Sequence, residues 1–456
     1  MVDDTGMHTF IDNTKYTKSI TIHHTCHCFE FIMEQSSITQ RSFGEEVNNS
    51  CLPKKVPIVG LGCSSFSNSF VKNADDMDTC LSCNQNSAHL LPRTHQKVKE
   101  WIQTIKHAVD NGINLLDTAP WYGHGSSEVV IGLALKESNI DRSKILINTK
   151  VGRYDSDPSR QFDFSFDATI QSAKRSIERM GCGYIDVLQL HDPEFSPSIE
   201  LLLEETIPAM LECKKKGWAK ALGLTGFPLE THYQILQRVS EGTFDQTLLY
   251  GHFNLHNQNL FTVPMCSEKQ ESLVEYCQSN SIAVMAAAPL SMGLLTHNVP
   301  PFWHPADSTL KQACKDAADL AEENSVNLPT LAILFALAHD CVGCTLLGMG
   351  NIKDVDYALA IIKRYEKLTE SHISSSGVTD GGKMLRQTIV SKLAPILTES
   401  ESKVLKIILD DSNGPFANVW KSGNSVWDGI EEAATFWSSV KGGKAEAEKR
   451  MKVRSS

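Results

Sequence analysis

Between residues 56 and 364 the chain alternates short apolar runs with amphipathic stretches of helical period. The apolar runs fall at 56–61, 113–117, 145–150, 184–190, 219–224, 244–250, 282–288 and 344–348. Continuous apolar runs of this length, separated by helical patterns, read as strands of a buried parallel sheet. The 3.6-residue period predicts helices near 97–111, 126–138, 167–180, 198–216, 229–240, 268–280, 308–323 and 353–364, with an extra helix at 328–339. Eight strands, each followed by a helix, predict an α/β protein, a (β/α)8 TIM barrel over 55–365. The competing architecture is an open doubly wound sheet, which carries its phosphate-binding glycines directly after the first strand. Here the first strand leads into Gly60-Leu-Gly62-Cys-Ser-Ser, and no Gly-x-Gly-x-x-Gly opens a helix.

The flanks have a different texture. Residues 1–54 are polar with little periodicity and read as an N-terminal extension with little tendency to order; only Thr17 to Ile32 alternates weakly. Residues 66–93, rich in Ser, Asn and Asp, read as an insertion on the loop side of the first strand. Residues 366–456 read as a linker and a helical, Trp-rich C-terminal extension. Ser371 to Gly382 is the Ser/Gly-rich linker, followed by helices near 383–397 and 399–410. Phe416 to Trp437 holds three tryptophans, which implies packing against the barrel, and Lys441 to Ser456 is a charged tail expected to fray.

The 456 residues, 41% hydrophobic and 21% charged, have an ordinary globular composition. A net charge of −11, from 43 basic and 54 acidic residues, argues against nucleic acid or an anionic membrane as partner. No apolar run approaches the ~18 residues of a spanning helix. The opening Met-Val-Asp-Asp lacks a basic stretch followed by an apolar one, so a cytoplasmic protein without a secretory leader is expected. The 13 cysteines are odd in number, and Cys182, Cys213, Cys277 and Cys314 fall inside predicted elements as small buried hydrophobes. Cys26, Cys28, Cys80 and Cys83, with nearby histidines, could supply zinc ligands, but a polar tail and a surface insertion with incidental cysteines is the favoured reading, so no metal is expected. The pair Cys341 and Cys344 reads as structural.

Candidate chemistry lies at the ends of three strands. Asn114-Leu-Leu-Asp-Thr-Ala-Pro-Trp-Tyr122, Ile147-Asn-Thr-Lys150 and Val187-Leu-Gln-Leu-His191 each run from apolar residues into a polar one. Asp117, Tyr122, Lys150 and His191 would thus meet at the C-terminal face of a barrel, where such enzymes place their chemistry. A phenol titrates near ~10, and a lysine ammonium beside it favours the phenolate, so Tyr122 could exchange a proton with a carbinol oxygen. Asp117 would hold Lys150 charged, and His191 would orient the substrate oxygen. The hydride requires an organic carrier, usually a nicotinamide. Singly, each residue has a plainer reading: a helix cap, a solvated charge, a turn, a packed ring.

Together these residues resemble the aldo-keto reductase superfamily, through Gly112 to Gly123, the strand ending in Lys150 and Tyr184 to His191. The resemblance implies a barrel, a nicotinamide cofactor bound without a Rossmann fold, and Asp117, Tyr122, Lys150 and His191 as catalytic tetrad. Thr149 to Tyr154, His191 to Phe195, Glu205 to Ala209, Gly223 to Leu229, Ala288 to Leu295 and Pro300 to Pro305 are similar to the plant-type L-galactose dehydrogenase branch. That branch implies NAD-dependent oxidation of an aldose at C1 to a lactone, a step toward ascorbate; D-arabinose or L-fucose dehydrogenases, a general NADPH-dependent aldehyde reductase and a cofactor-sensing channel subunit stay open as alternatives. The resemblance also implies cofactor contacts at Asp117, Thr225, Gly226, Tyr250, Pro289, Leu290, Gly293, Leu294, Gly348, Gly350 and Asn351. Thr225 and Gly226 stand where many members have Ser-Asn. Asp354 and Asp356 near the adenosine end favour NAD over NADP, despite Lys353. Trp121, Arg153, Trp303 and His304 are candidates for a sugar's polar and aromatic contacts, or ordinary loop packing. The expected partner is a small-molecule sugar, with the chain a monomer or weak homo-oligomer.

Overall fold

The computed structural model describes residues 40–42, 55–67, 96–154, 161–298, 300, 304–368 and 382–416. Eight parallel strands close into a barrel: β1 Val59–Gly62, β2 Leu115–Asp117, β3 Leu146–Val151, β4 Ile185–His191, β5 Ala219–Gly226, β6 Gln246–Tyr250, β7 Ala283–Ala287 and β8 Cys344–Gly348. Each strand pairs with the next in sequence, and β8 pairs back on β1 through Thr345–Val59 and Leu346–Gly60. Around them lie α1 Gln96–Asp110, α2 Ser126–Glu137, α3 Phe166–Met180, α4 Ile207–Lys215, α5 Leu229–Arg238, α6 Leu273–Ser279, α7 Ser308–Glu323, α8 Leu328–Leu337 and α9 Ile352–Tyr365. The (β/α)8 expectation therefore holds. Val59 to Gly62 is preceded by Lys55–Pro57, which pairs antiparallel with Gln40–Ser42.

The strand period of two sorts residues between two cores. Ile147 and Val151 of β3, and Leu188 and Leu190 of β4, pack outward among the helices. Leu115, Leu146, Leu248, Ala283, Met285, Cys344 and Leu346 form a separate apolar plug inside the barrel. Two residues along β2 from Leu115, and four along β3 from Leu146, the same inward rows reach Asp117 and Lys150. The inward rows are thus apolar in the plug and turn to charged groups toward the C-terminal mouth.

Three predicted helices are shorter or broken, each for a local reason. The stretch 198–216 is not one uninterrupted α-helix: a π turn at Leu202–Thr206 precedes α4. Pro208, near the start of α4, has no N–H for the carbonyl of Glu204, and the widened turn absorbs that missing bond. Residues 268–272 do not join α6, because Ser272 caps it: the Ser272 hydroxyl accepts from Glu275 N at 3.3 Å and Glu275 Oε2 from Ser272 N at 2.8 Å. The helix expected at 383–397 ends at Leu393, and Pro395 carries a short 3₁₀ turn.

After the barrel, α10 Lys383–Leu393 and α11 Glu399–Ile408 pack onto it. Leu385, Ile389, Leu393, Val404, Leu405 and Ile408 are fully buried in the main hydrophobic core. Arg364 of α9 donates to Glu401 Oε1 at 2.8 Å and to the Ile396 carbonyl, and Lys392 pairs with Asp340 at 3.0 Å. Trp303, Cys26, Cys28, Cys80, Cys83 and the three tail tryptophans lie outside the described residues. No described helix is long and apolar enough to cross a membrane.

We propose that the α10–α11 pair belongs to the barrel's cooperative unit. Leu405→Ala should then cost about 2–5 kcal/mol, as emptying a packed core site does. Urea unfolding followed by circular dichroism should show one transition shifted to lower urea; a minor early step with the main transition unmoved would make the pair an independent unit.

Candidate active site

Lys150 is the residue around which the site is built. It stands on β3, is 1% exposed, and its ammonium donates to Asp117 Oδ1 at 2.5 Å and to the Thr118 carbonyl at 2.7 Å. Strand register makes this meeting unavoidable, since Asp117 of β2 is paired with Asn148 of β3, two residues before Lys150. The other Asp117 oxygen accepts from Gln189 Nε2 at 2.8 Å, and Gln189 Oε1 accepts from Gln246 Nε2 at 3.1 Å. Gly223 leaves space for this row: a Cβ there would lie 2.9 Å from Gln189 Cγ and 3.1 Å from Val187 Cγ1. Gln189 and Gln246 were not singled out from sequence, although each is a polar residue in an apolar strand, in step with the inward rows.

The loop after β2 brings Tyr122 over Lys150, whose Nζ lies 4.7 Å from the ring centroid. The loop leads into α2, whose first residues are pinned to neighbouring elements. Ser127 Oγ donates to the Cys63 carbonyl at 2.9 Å, and Ser126 Oγ to the Phe66 carbonyl at 3.1 Å. Glu128, fully buried, accepts from Thr149 Oγ1 at 2.7 Å and pairs with Arg179. His191, the last residue of β4, meets the Tyr122 ring edge-on, with centroids 6.2 Å apart. The structure thus gathers all four residues at one end of the barrel.

Burial decides the protonation states. Desolvation raises the Tyr122 phenol above its ordinary value of 10; the Lys150 charge opposes this, and the Asp117 charge adds to it. The simple expectation of a lowered phenol is therefore reversed: burial favours the neutral phenol. Burial would lower Lys150, but the Asp117 charge, the Tyr122 phenol and the hydrogen bond donated to Asp117 outweigh it and push it up to about 12. His191 is driven well below 6.5 by burial and by the Lys150 and Arg153 charges, so its imidazole is neutral. Its Nδ1 is buried with no hydrogen-bond partner among the described residues.

A second charged group borders the first. Arg153 Nη1 pairs with Asp192 Oδ2 at 2.6 Å, and its guanidinium stacks 3.5 Å from the Trp121 ring centroid. His191 Nε2 lies 3.6 Å from the same Asp192 oxygen. Glu194, behind this pair, is raised well above a free carboxyl by burial and by the Asp192 charge. Asp192 and Glu194 were not identified as site residues from sequence, where His191-Asp-Pro-Glu-Phe195 served only as a resemblance.

The remaining sequence candidates fall in two places. Thr225 is buried at the end of β5, opposite His191, and Tyr250 ends β6 beside Phe227, with ring centroids 5.1 Å apart. A Cβ on Gly226 would meet Glu194 Oε2 at 2.7 Å and Pro193 Cδ at 3.1 Å, so a larger residue there would displace the Glu194 carboxyl. Pro289, Leu290, Gly293 and Leu294 lie in a loop whose Ala288, Ser291, Met292 and Gly293 all have positive φ. His304 turns both ring nitrogens to backbone groups: Nδ1 accepts from Ala306 N at 3.1 Å, and Nε2 bonds the Ser291 carbonyl of that loop at 3.0 Å. At the start of α9, Asp354 Oδ2 accepts from Gly350 N at 2.8 Å and Asn351 Nδ2 at 2.9 Å. Asp356 instead pairs with His107 of α1 at 2.6 Å, so of the two carboxylates only Asp354 faces the Gly348–Asn351 turn. Among the described residues no His/Cys/Asp/Glu group is arranged to hold a metal.

Fold and site define a closed (β/α)8 barrel with Asp117, Tyr122, Lys150 and His191 buried together at the C-terminal ends of its strands. The Aldo/keto reductase family profile matches residues 94–375. The chain belongs to that family, and is an oxidoreductase. It is 35% identical over 267 residues to L-galactose dehydrogenase of Arabidopsis thaliana, covering 59% of this chain and 79% of that protein. It is 31% identical over 263 residues to D-arabinose 1-dehydrogenase of Saccharomyces cerevisiae, covering 56% and 74%. Among solved structures, aldo-keto reductase AKR11C1 from Bacillus halodurans (holo form) matches with a TM-score of 0.51 at 21% identity, over 76% of this chain and 96% of that one.

The pairing of Lys150 can be tested through stability. Asp117→Leu strands a buried ammonium and should cost about 3–5 kcal/mol, and adding Lys150→Met should restore part of the loss. The folded Lys150 value of about 12 exceeds the free value of 10.5, so its contribution is complete below pH 10.5 and is lost as pH rises through 12. Chemical denaturation across that window should show a decline in the wild type that Lys150→Met lacks; identical pH profiles would mean that the pair contributes nothing.

Proposed function

We propose that this chain oxidises the C1 hydroxyl of an aldose of the L-galactose kind to its aldonolactone, with Tyr122 as the acid–base group. The observation that carries the reading is the buried Lys150 ammonium, fixed by Asp117 and set against the Tyr122 ring. The likeness to two aldose dehydrogenases supports a sugar as substrate.

The rim suits a dinucleotide. Non-glycine residues at positive φ cost about 1–3 kcal/mol each and persist where a ligand clamp or its surroundings demand them; Ala288, Ser291 and Met292 bring three such residues into one loop. Pro289, Leu290, Gly293 and Leu294 of that loop would cross the pyrophosphate, Asp117, Thr225, Gly226 and Tyr250 would border the nicotinamide, and Gly348, Gly350 and Asn351 the adenosine end. Nicotinamide, when bound, supplies the hydride acceptor. Tyr122 takes the hydroxyl proton, and the Lys150 charge lowers the cost of the phenolate that this requires. Neutral His191 can hydrogen-bond the reacting oxygen without competing for its proton. Trp121, stacked under Arg153, offers an aromatic face with a fixed guanidinium beside it, the pairing that suits a sugar's C–H and hydroxyl sides. The Asp354 carboxylate at the α9 start disfavours a 2′-phosphate and favours NAD.

The raised phenol favours a second reading, an aldehyde reductase for which Tyr122 is a ready proton donor. L-galactose, L-fucose, D-arabinose and simple aldehydes, assayed with NAD and NADP in both directions, separate the two. Tyr122→Phe should abolish turnover in either case while nicotinamide binding persists, and a near-normal kcat would remove the proton role. Asp354→Arg should raise the NADP-to-NAD ratio of kcat/KM at least tenfold, about 1.4 kcal/mol. An unmoved ratio would show that this helix start does not sense the 2′ position.

A further inference from the structure

The α10–α11 pair lies beyond the residues that match the family, yet its contacts lead back to the rim. Arg386, in the first turn of α10, donates through Nη1 to Gln258 Oε1 at 3.1 Å and pairs with Asp411, just past α11. Gln258 Nε2 in turn donates to the carbonyls of Asn254 at 2.7 Å and Leu255 at 3.0 Å. Asn254 Oδ1 accepts from the backbone N–H of His256 at 3.1 Å and of Asn257 at 3.0 Å, which folds 254–258 into one tight turn after β6. From that turn His256 Nε2 reaches Ser291 Oγ at 2.6 Å. Phe416 also packs edge-on against the His256 ring, with centroids 6.0 Å apart.

Ser291 is one of the left-handed residues of the rim loop, and His304 holds its carbonyl as His256 holds its hydroxyl. A strained residue keeps its conformation only when its surroundings over-determine it. Here part of that constraint comes from outside the family barrel. Burial keeps both imidazoles uncharged, at about 3 for His256 and about 4 for His304, so the grip does not change at neutral pH.

We propose that the C-terminal helical pair sets the shape of the 288–294 loop through Arg386, Gln258 and His256, and thereby the affinity for the dinucleotide. Arg386 and His256 are positioning residues that act through Ser291. The inference rests on the proposed role of this loop in holding the cofactor.

The test is binding of NADH and NADPH to the full chain, followed by nicotinamide fluorescence, with thermal unfolding recorded for every variant. Arg386→Met and His256→Leu should each weaken binding of the preferred dinucleotide about tenfold, with the unfolding midpoint of at least one variant close to that of the wild type. His256→Gln, which keeps a polar group toward Ser291, should recover part of the loss, whereas a purely structural role would not distinguish Gln from Leu in affinity. Should Arg386→Met fail to fold, the two His256 variants decide. Wild-type affinity in folded His256→Leu overturns the inference alone; a wild-type chain that binds neither dinucleotide overturns the functional reading, and this inference with it.

Discussion

A lysine with 1% of its surface exposed must find a negative partner or lose its charge, and in this protein that requirement organises the barrel mouth. Asp117 satisfies it from the neighbouring strand, and the Thr118 carbonyl accepts a second N–H. Asp117 must then have its other oxygen satisfied, which Gln189 does, and Gln189 in turn leans on Gln246. Three adjoining requirements thus fix side chains from four strands, and Gly223 is small because this row passes over it. The Tyr122 loop closes above the ammonium, so the site's geometry follows from meeting one buried charge.

Low dielectric then assigns the protonation states. Burial is the first influence on Tyr122, His191 and Glu194 alike, and it favours the neutral form of each. Charge is concentrated in two pairs, Asp117 with Lys150 and Asp192 with Arg153. A neutral phenol and a neutral imidazole facing a fixed cation form a centre in which a proton can move without unpairing a buried ion. The same rim includes a loop with several left-handed residues, held by two histidines and, through one of them, by helices added after the barrel.

Much of this was legible in the chain. The eight apolar runs marked the strands, and their polar ends marked Asp117, Lys150 and His191, because a parallel strand buried on both faces admits a polar residue only at the mouth or in a satisfied network. The boundaries that failed did so at Pro208, Ser272 and Pro395, where a missing N–H or a capping hydroxyl overrode the helical period. Gln189 and Gln246 escaped notice because a lone glutamine in an apolar strand has no motif; its meaning appears only when the neighbouring strand supplies Asp117. The expected lowering of the Tyr122 phenol failed for a similar reason, since proximity to lysine can be guessed from sequence but the depth of burial cannot.

By itself the sequence determined the order of strands and helices, the class of barrel and the identity of the four polar groups at its mouth, because each depends on period and composition along the chain. Tertiary structure alone decided which inward row meets which, that Asp354 and not Asp356 faces the rim, that His304 turns to the backbone, and that the C-terminal helices reach Ser291. These outcomes depend on register, burial and contacts between residues far apart in sequence, and such quantities exist only after the cylinder has closed.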